Sequence, residues 1–183
     1  EAGNATTGTA TVIANIINNP AGNGSLFVAT CTVTKLVQQR GSITVADGAT
    51  ITSIYHVGGT GLYDTGAAAT LIDIGGGGCT IKRDTATLKV RAGANGVLDH
   101  TAVSPATATE VAGRLTVQKC GTHADMTLLP GAVLDLSRLE QPFTISALTS
   151  YPGSIIRKKA GHPVDVTISG HTLIGEGYKV DLV

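Results

Sequence analysis

Pro130-Gly131-Ala132-Val133-Leu134 and Pro152-Gly153-Ser154-Ile155-Ile156 are two versions of one short phrase: a glycine turn, a small residue, then two strand positions. A third version, Asp47-Gly48-Ala49-Thr50-Ile51, stands far upstream. The glycines of the last two copies are 22 residues apart, and between them lies a second recurrent element, Phe143-Thr144-Ile145. Its relatives are Ile43-Thr44-Val45, Leu115-Thr116-Val117, Met126-Thr127-Leu128 and Val166-Thr167-Ile168, with Thr144 and Thr167 separated by 23 residues. A period just above 20 residues suits one coil of a parallel β-helix, with short strands and the turns between them. One coil cannot bury its inward side chains alone, but stacked coils form an aliphatic ladder and pair their backbones with the coil above. The reading is therefore an all-β, single-stranded parallel β-helix over residues 41–183. A β-sandwich or jelly roll is the alternative, because it too places short strands every 8–12 residues.

Composition agrees with closely stacked strands. The 183 residues are 42% hydrophobic but only 3% aromatic, without Trp, and they include 24 Gly. A core of Ala, Val, Leu and Ile fits thin layers that bulky rings would split. The 13 basic and 13 acidic side chains balance, so the basic excess of a nucleic-acid binder is missing. The one basic cluster, Arg157-Lys158-Lys159, reads as a solvated strand end. No apolar run approaches the roughly 18–20 residues of a membrane-spanning helix. Cys31, Cys79 and Cys120 are widely spaced and odd in number, which predicts buried free thiols rather than a zinc site.

Residues 1–40 have a different texture. From Ala2 to Thr34 there is no Asp, Glu, Lys or Arg. Thr9–Ile17 and Leu26–Thr34 read as two strands around the turn-rich Asn18–Gly24, which predicts an N-terminal β-hairpin. Nothing in it blocks pairing with another chain, and interface cores are depleted in charge. Ile13, Ile16, Ile17, Leu26, Phe27 and Val28 are accordingly the expected attachment or oligomer contacts.

Residues that would carry chemistry are sparse. Gly75-Gly76-Gly77-Gly78 leads into Cys79-Thr80-Ile81 and not into the Gly-Lys-Ser/Thr of a phosphate loop, so it reads as a turn. His56, His100, His123, His162 and His171 fall in no zinc-binding spacing. His123 and Asp125 would share a strand face by alternation, a weak signal alone. No two acidic residues are adjacent, whereas a polysaccharide-cleaving β-helix needs carboxylates gathered in one groove. Asp47, Asp64, Asp73, Asp84, Asp99, Asp125, Asp135, Asp165 and Asp181 read as turn and surface residues. Tyr55 and Tyr63 flank a glycine-rich stretch and are the candidate sugar platform. No catalytic, cofactor or metal residue is expected, and the chain reads as a non-enzyme.

The short Φ-Thr-Φ units and the corners Gly48-Ala49-Thr50-Ile51, Pro130–Leu134 and Pro152–Ile156 resemble the β-helical virion proteins of tailed bacteriophages: capsid decoration proteins, head fibres and tailspike segments. The resemblance is one of texture and spans roughly residues 41–183. It implies a rigid structural homo-oligomer, a trimer, at the virion surface and attached through one end to a major capsid or tail protein. It also leaves room for a surface polysaccharide as partner. Secreted or cell-surface adhesins and carbohydrate-binding modules share the texture and form the alternative.

Overall fold

The computed structural model describes residues 5–6, 11–20, 24–100, 103, 105, 107–161, 164–175 and 179–182. Among them are nineteen strands and no helix. Successive strands alternate between a ten-stranded and a nine-stranded sheet. Every strand pairing is parallel, and each strand pairs with the one two places along the chain. The protein is thus a β-solenoid of about eight coils, each built from a short strand such as Ser42–Val45 and a longer one such as Thr50–His56.

In-register stacking explains the composition. In the short-strand sheet Ile43, Gly61, Cys79, Gly96, Leu115, Leu134 and Ile156 sit directly above one another. In the long-strand sheet Leu36, Ile54, Ile72 and Leu88 form a wholly buried column. Each such aliphatic side chain contributes about 1.5–3 kcal/mol by leaving water. Ile51, Ile145 and Ile168 face inward from the long strands, and Leu134 and Ile156 from the short ones. The expected single inner ladder is therefore two facing ladders, with Ile168 half-buried where the core ends.

The long strands bend. In Cys31–Gln38 the buried residues are Cys31, Val33, Leu36 and Gln38, with Thr34 and Lys35 consecutively exposed. Phe143–Ser150 repeats this with Ser146 and Ala147. The ladder omits Thr34 and Thr52 between strands, and likewise Ala124, Ser146 and Ser169. A small side chain recurs at this bulge-like bend because the chain turns sharply there against the identical bend of the next coil. The bend also separates His123 from Asp125. His123 is fully buried and Asp125 exposed, so two-residue alternation fails across Ala124.

The predicted hairpin is not formed. Thr11–Asn18 pairs with Cys31–Gln38 in parallel, with Ser25–Val28 placed between them in the opposite sheet. Leu26–Thr34 is broken at Ala29-Thr30, which switches the buried parity from Val28 to Cys31 and Val33. The physical reason is length: the chain between Asn18 and Cys31 is long enough to cross to the other sheet and back, as it does in every later coil. Neither sheet breaks near residue 40. Residues 57–78, which look like an excursion, instead supply Thr60–Tyr63 and Ala69–Ile74, one strand to each sheet.

One corner is a glycine column. Gly41, Gly59 and Gly77 have φ of 69°, 78° and 67°. A Cβ on any of them would overlap the carbonyl oxygen of the glycine one coil earlier: Gly24, Gly41 and Gly59 respectively. Gly93 has a φ of 79°, but its Cβ position is open. Gly93→Ala should therefore lose only the left-handed penalty, about 1–2 kcal/mol. Gly59→Ala carries the same penalty plus a backbone collision and should be clearly worse in denaturant melts.

Candidate functional site

Three features stand out against the aliphatic interior: two buried polar clusters, a ladder of ion pairs, and apolar surface at the ends. Within the first coils Asn18, Gln38 and His56 occupy one register column. Asn18 Nδ2 donates to Gln38 Oε1 at 2.6 Å, and Gln38 Nε2 donates to the Arg40 carbonyl at 2.8 Å. His56 Nδ1 lies 2.7 Å from the hydroxyl of Tyr63, whose ring meets the imidazole edge-to-face. Tyr63 fits inside the solenoid because Gly61 has no side chain: a Cβ there would stand 2.8–2.9 Å from the tyrosine ring. Burial lowers the His56 pKa, partly opposed by the Gly59 backbone, and raises that of Tyr63 well above its ordinary value. With Tyr63 1% exposed, the two tyrosines do not form the candidate sugar platform, and Tyr55 carries the Lys35 ammonium 4.9 Å above its ring.

The second cluster has the outline of a nucleophile–base–orienter triad. Cys120 Sγ is 3.0 Å from His123 Nε2, and His123 Nδ1 is 2.9 Å from Thr109 Oγ1. Cys120 Sγ also donates to the Val103 carbonyl at 2.9 Å. One protonation scheme satisfies all three contacts: Thr109 donates to Nδ1, Nε2–H donates to sulfur, and the thiol donates to Val103. Thr109, Cys120 and His123 are at most 1% exposed. A reactive dyad needs thiolate and imidazolium, but burial drives both groups the other way. The thiol is pushed far above its ordinary value, and the imidazole is pushed down to about 3. Burial thus favours the neutral form of both groups, and the three side chains answer one another's polar atoms inside the core.

On the surface, the described ion pairs all join neighbouring coils. Asp64–Arg83, Asp73–Arg91, Lys82–Asp99, Arg114–Asp135, Lys119–Glu140 and Arg157–Asp181 each span one turn. Asp73 and Asp135 are the buried members, and Asp135 is the deeper. Burial pushes its carboxyl up, but the Ser137 hydroxyl and amide and the Arg114 guanidinium together bring it below the ordinary carboxylate range. Five of the nine singly spread aspartates, Asp64, Asp73, Asp99, Asp135 and Asp181, are thus staples between turns, a role visible only once the register is known. Among the described residues no three His, Cys, Asp or Glu side chains are grouped to hold a metal. His162 and Tyr178 lie outside the described residues.

The predicted contact residues divide into two sets. Val28 is wholly buried, and Ile13, Ile16 and Leu26 pack against the core, so these four belong to the coil itself. Ile17 and Phe27 face outward at 65% and 39% exposure, joined by Val12 at 77%, which sequence reasoning passed over. Leu173, Ile174 and Val180 are exposed in the last coil, and among the described residues Val57 is the one exposed large hydrophobic between. Comparison with known proteins adds no relative: no family model, curated protein or solved structure matches the chain.

The class the fold and these features define is a β-solenoid with an aliphatic core, charge-stapled sides and exposed hydrophobic residues in its first and last described coils. Two buried histidines, His56 and His123, both held below their ordinary pKa by burial, predict acid sensitivity, with His123 the more strongly shifted. His123 has a folded pKa below its unfolded value of about 6.5, so the stability it permits is complete above that pH and falls as pH drops toward 3. The melting temperature should decline between pH 6.5 and 5, above the carboxylate range, and His123→Gln should flatten that slope. Iodoacetamide at pH 8 should leave Cys79 and Cys120 of the native protein unmodified and label both after denaturation, since burial raises both thiol pKa values.

Proposed function

We propose that the chain is a non-enzymatic structural protein, a rigid β-helical element that joins an assembly through its end and is displayed on a virion surface as a decoration or fibre-like protein. The observation that carries this reading is the distribution of exposed large hydrophobics among the described residues: Val12, Ile17 and Phe27 in the first coils and Leu173, Ile174 and Val180 in the last, with Val57 alone between. Solitary exposed apolar residues are ordinary on any protein, but their concentration at both ends of a charge-stapled rod fits end-on contact. The charge-free Ala2–Thr34 supports the N-terminal end as the attachment face, because an interface core excludes unpaired charge. The virion setting, the homotrimer and the capsid or tail partner rest on the textural resemblance. A surface adhesin or carbohydrate-binding module would present the same rod.

The discriminating residue is Ile17. Its side chain points outward, so Ile17→Asp should leave the melting temperature nearly unchanged. It should also shift the native protein from oligomer to monomer in sedimentation experiments. Ile16→Asp is the matching control: it places a charge against the core and should unfold the coil instead. A parent protein that sediments as a monomer would remove the oligomer from this reading.

A further inference from the structure

Asp47-Gly48 is the one Asp-Gly pair in the sequence, and Asn23-Gly24 and Asn95-Gly96 are its two Asn-Gly pairs. Asn23 lies outside the described residues. At such pairs the main chain can rearrange, because glycine has no Cβ to keep its nitrogen from the side-chain carbonyl carbon before it. In a free peptide the Asn-Gly pair is the faster, since a carboxylate must take up a proton before water can leave it. The fold reverses that order.

Asn95 and Gly96 open the strand Asn95–Asp99, which is paired on one side with Gly78–Ile81 and on the other with Arg114–Lys119. Gly96 is buried, and a Cβ there would stand 3.0 Å from the Ile74 side chain and 3.3 Å from that of Leu115. The two ladders hold this backbone extended, and swinging the glycine nitrogen onto the asparagine side chain would break them. Asp47 and Gly48 are instead the middle residues of a turn, closed by the Ala49 amide donating to the Ala46 carbonyl at 3.0 Å. The Gly48 amide belongs to no strand, and both residues are exposed.

We infer that Asp47-Gly48 is a site of spontaneous isoaspartate formation, a modification that loosens the coil stacked on it. The Gly48 nitrogen bonds to Asp47 Cγ, and the amide proton and the hydroxyl of the carboxylic acid leave together as water. This closes a five-membered succinimide. A water molecule then adds at the main-chain carbonyl carbon of Asp47, and the bond from that carbon to the Gly48 nitrogen breaks. One water leaves, one enters, and nothing is oxidised or reduced. The chain now runs through Asp47 Cγ and is longer by one methylene, and the former carbonyl is a free carboxylate. That carbonyl is a packed group: a Cβ on Gly66, one coil on, would overlap its oxygen, and the Gly66 amide donates to the Ala49 carbonyl at 2.7 Å. A second oxygen and a negative charge therefore arrive where the next turn already touches. Coils held chiefly by their neighbours feel such a displacement directly.

The test holds native protein in warm neutral buffer for weeks. Samples are labelled with an isoaspartate-specific methyltransferase and mapped by peptide mass spectrometry. Isoaspartate should accumulate at position 47 while Asn95 stays unchanged. The same incubation in denaturant should reverse the order, with Asn95 converting several-fold faster than Asp47. The aged native protein should melt below the fresh protein. Asp47→Glu keeps the charge but cannot close a five-membered ring, so it should collect no label at that position and hold its melting temperature. Position 47 keeping its normal linkage in the native protein, Asn95 converting first there, or one order in both folded and denatured chains would each overturn the site. Isomerised protein that melts with the fresh protein would overturn the loosening of the coil. Assembly does not enter this chemistry, so a monomeric parent leaves the result unaffected.

Discussion

The parallel, in-register stacking of one coil on the next is the constraint from which the rest follows. Backbone donors and acceptors of a strand are satisfied by the coils above and below, so every side chain has a fixed vertical neighbour. A position that must be small in one coil must be small in the next, which produces the glycine column at one corner and the Ala, Ser and Thr bends at another. The same rule aligns opposite charges: Asp73 meets Arg91 and Arg114 meets Asp135 because each pair occupies neighbouring coils. Stability in such a structure is a sum of coil and neighbour terms rather than the property of one central core.

Burial decides what the polar clusters mean. Cys120, His123 and Thr109 have distances suited to nucleophilic catalysis, and the aliphatic ladders around them reverse the protonation that catalysis would need. Tyr63 is likewise an aromatic that solvent never reaches. Chemistry available to outside molecules is confined to the sheet faces and the ends.

The solenoid was legible because its signals are local: a glycine turn, a small residue and two strand positions recur at nearly one-coil spacing. The hairpin error has a local cause as well. Two apolar strands around a turn-rich segment look alike whether the chain reverses directly or detours through the opposite sheet, and only the pairing partner distinguishes them. Strict two-residue alternation misassigned Asp125 because a bulge at Ala124 resets the parity, and the corner at Ala29-Thr30 likewise leaves Val28, an expected contact, inside the coil. The polar core clusters were not legible at all. Cys120 and His123 are close in sequence, but Thr109 reaches them from the preceding coil, and nothing in composition announces that depth.

A stack of similar turns faces a danger that a globular core does not: sliding by one whole turn keeps most apolar side chains on apolar neighbours. The buried polar groups break that near-symmetry. Moved up one storey, Gln38 would lie where Ile74 now meets His56, and Thr109 would lose its imidazole. Each mismatch leaves a desolvated donor or acceptor unanswered, at about 1–3 kcal/mol apiece. The interior polarity thus numbers the floors of the tower, letting a repetitive chain count its own turns as it folds.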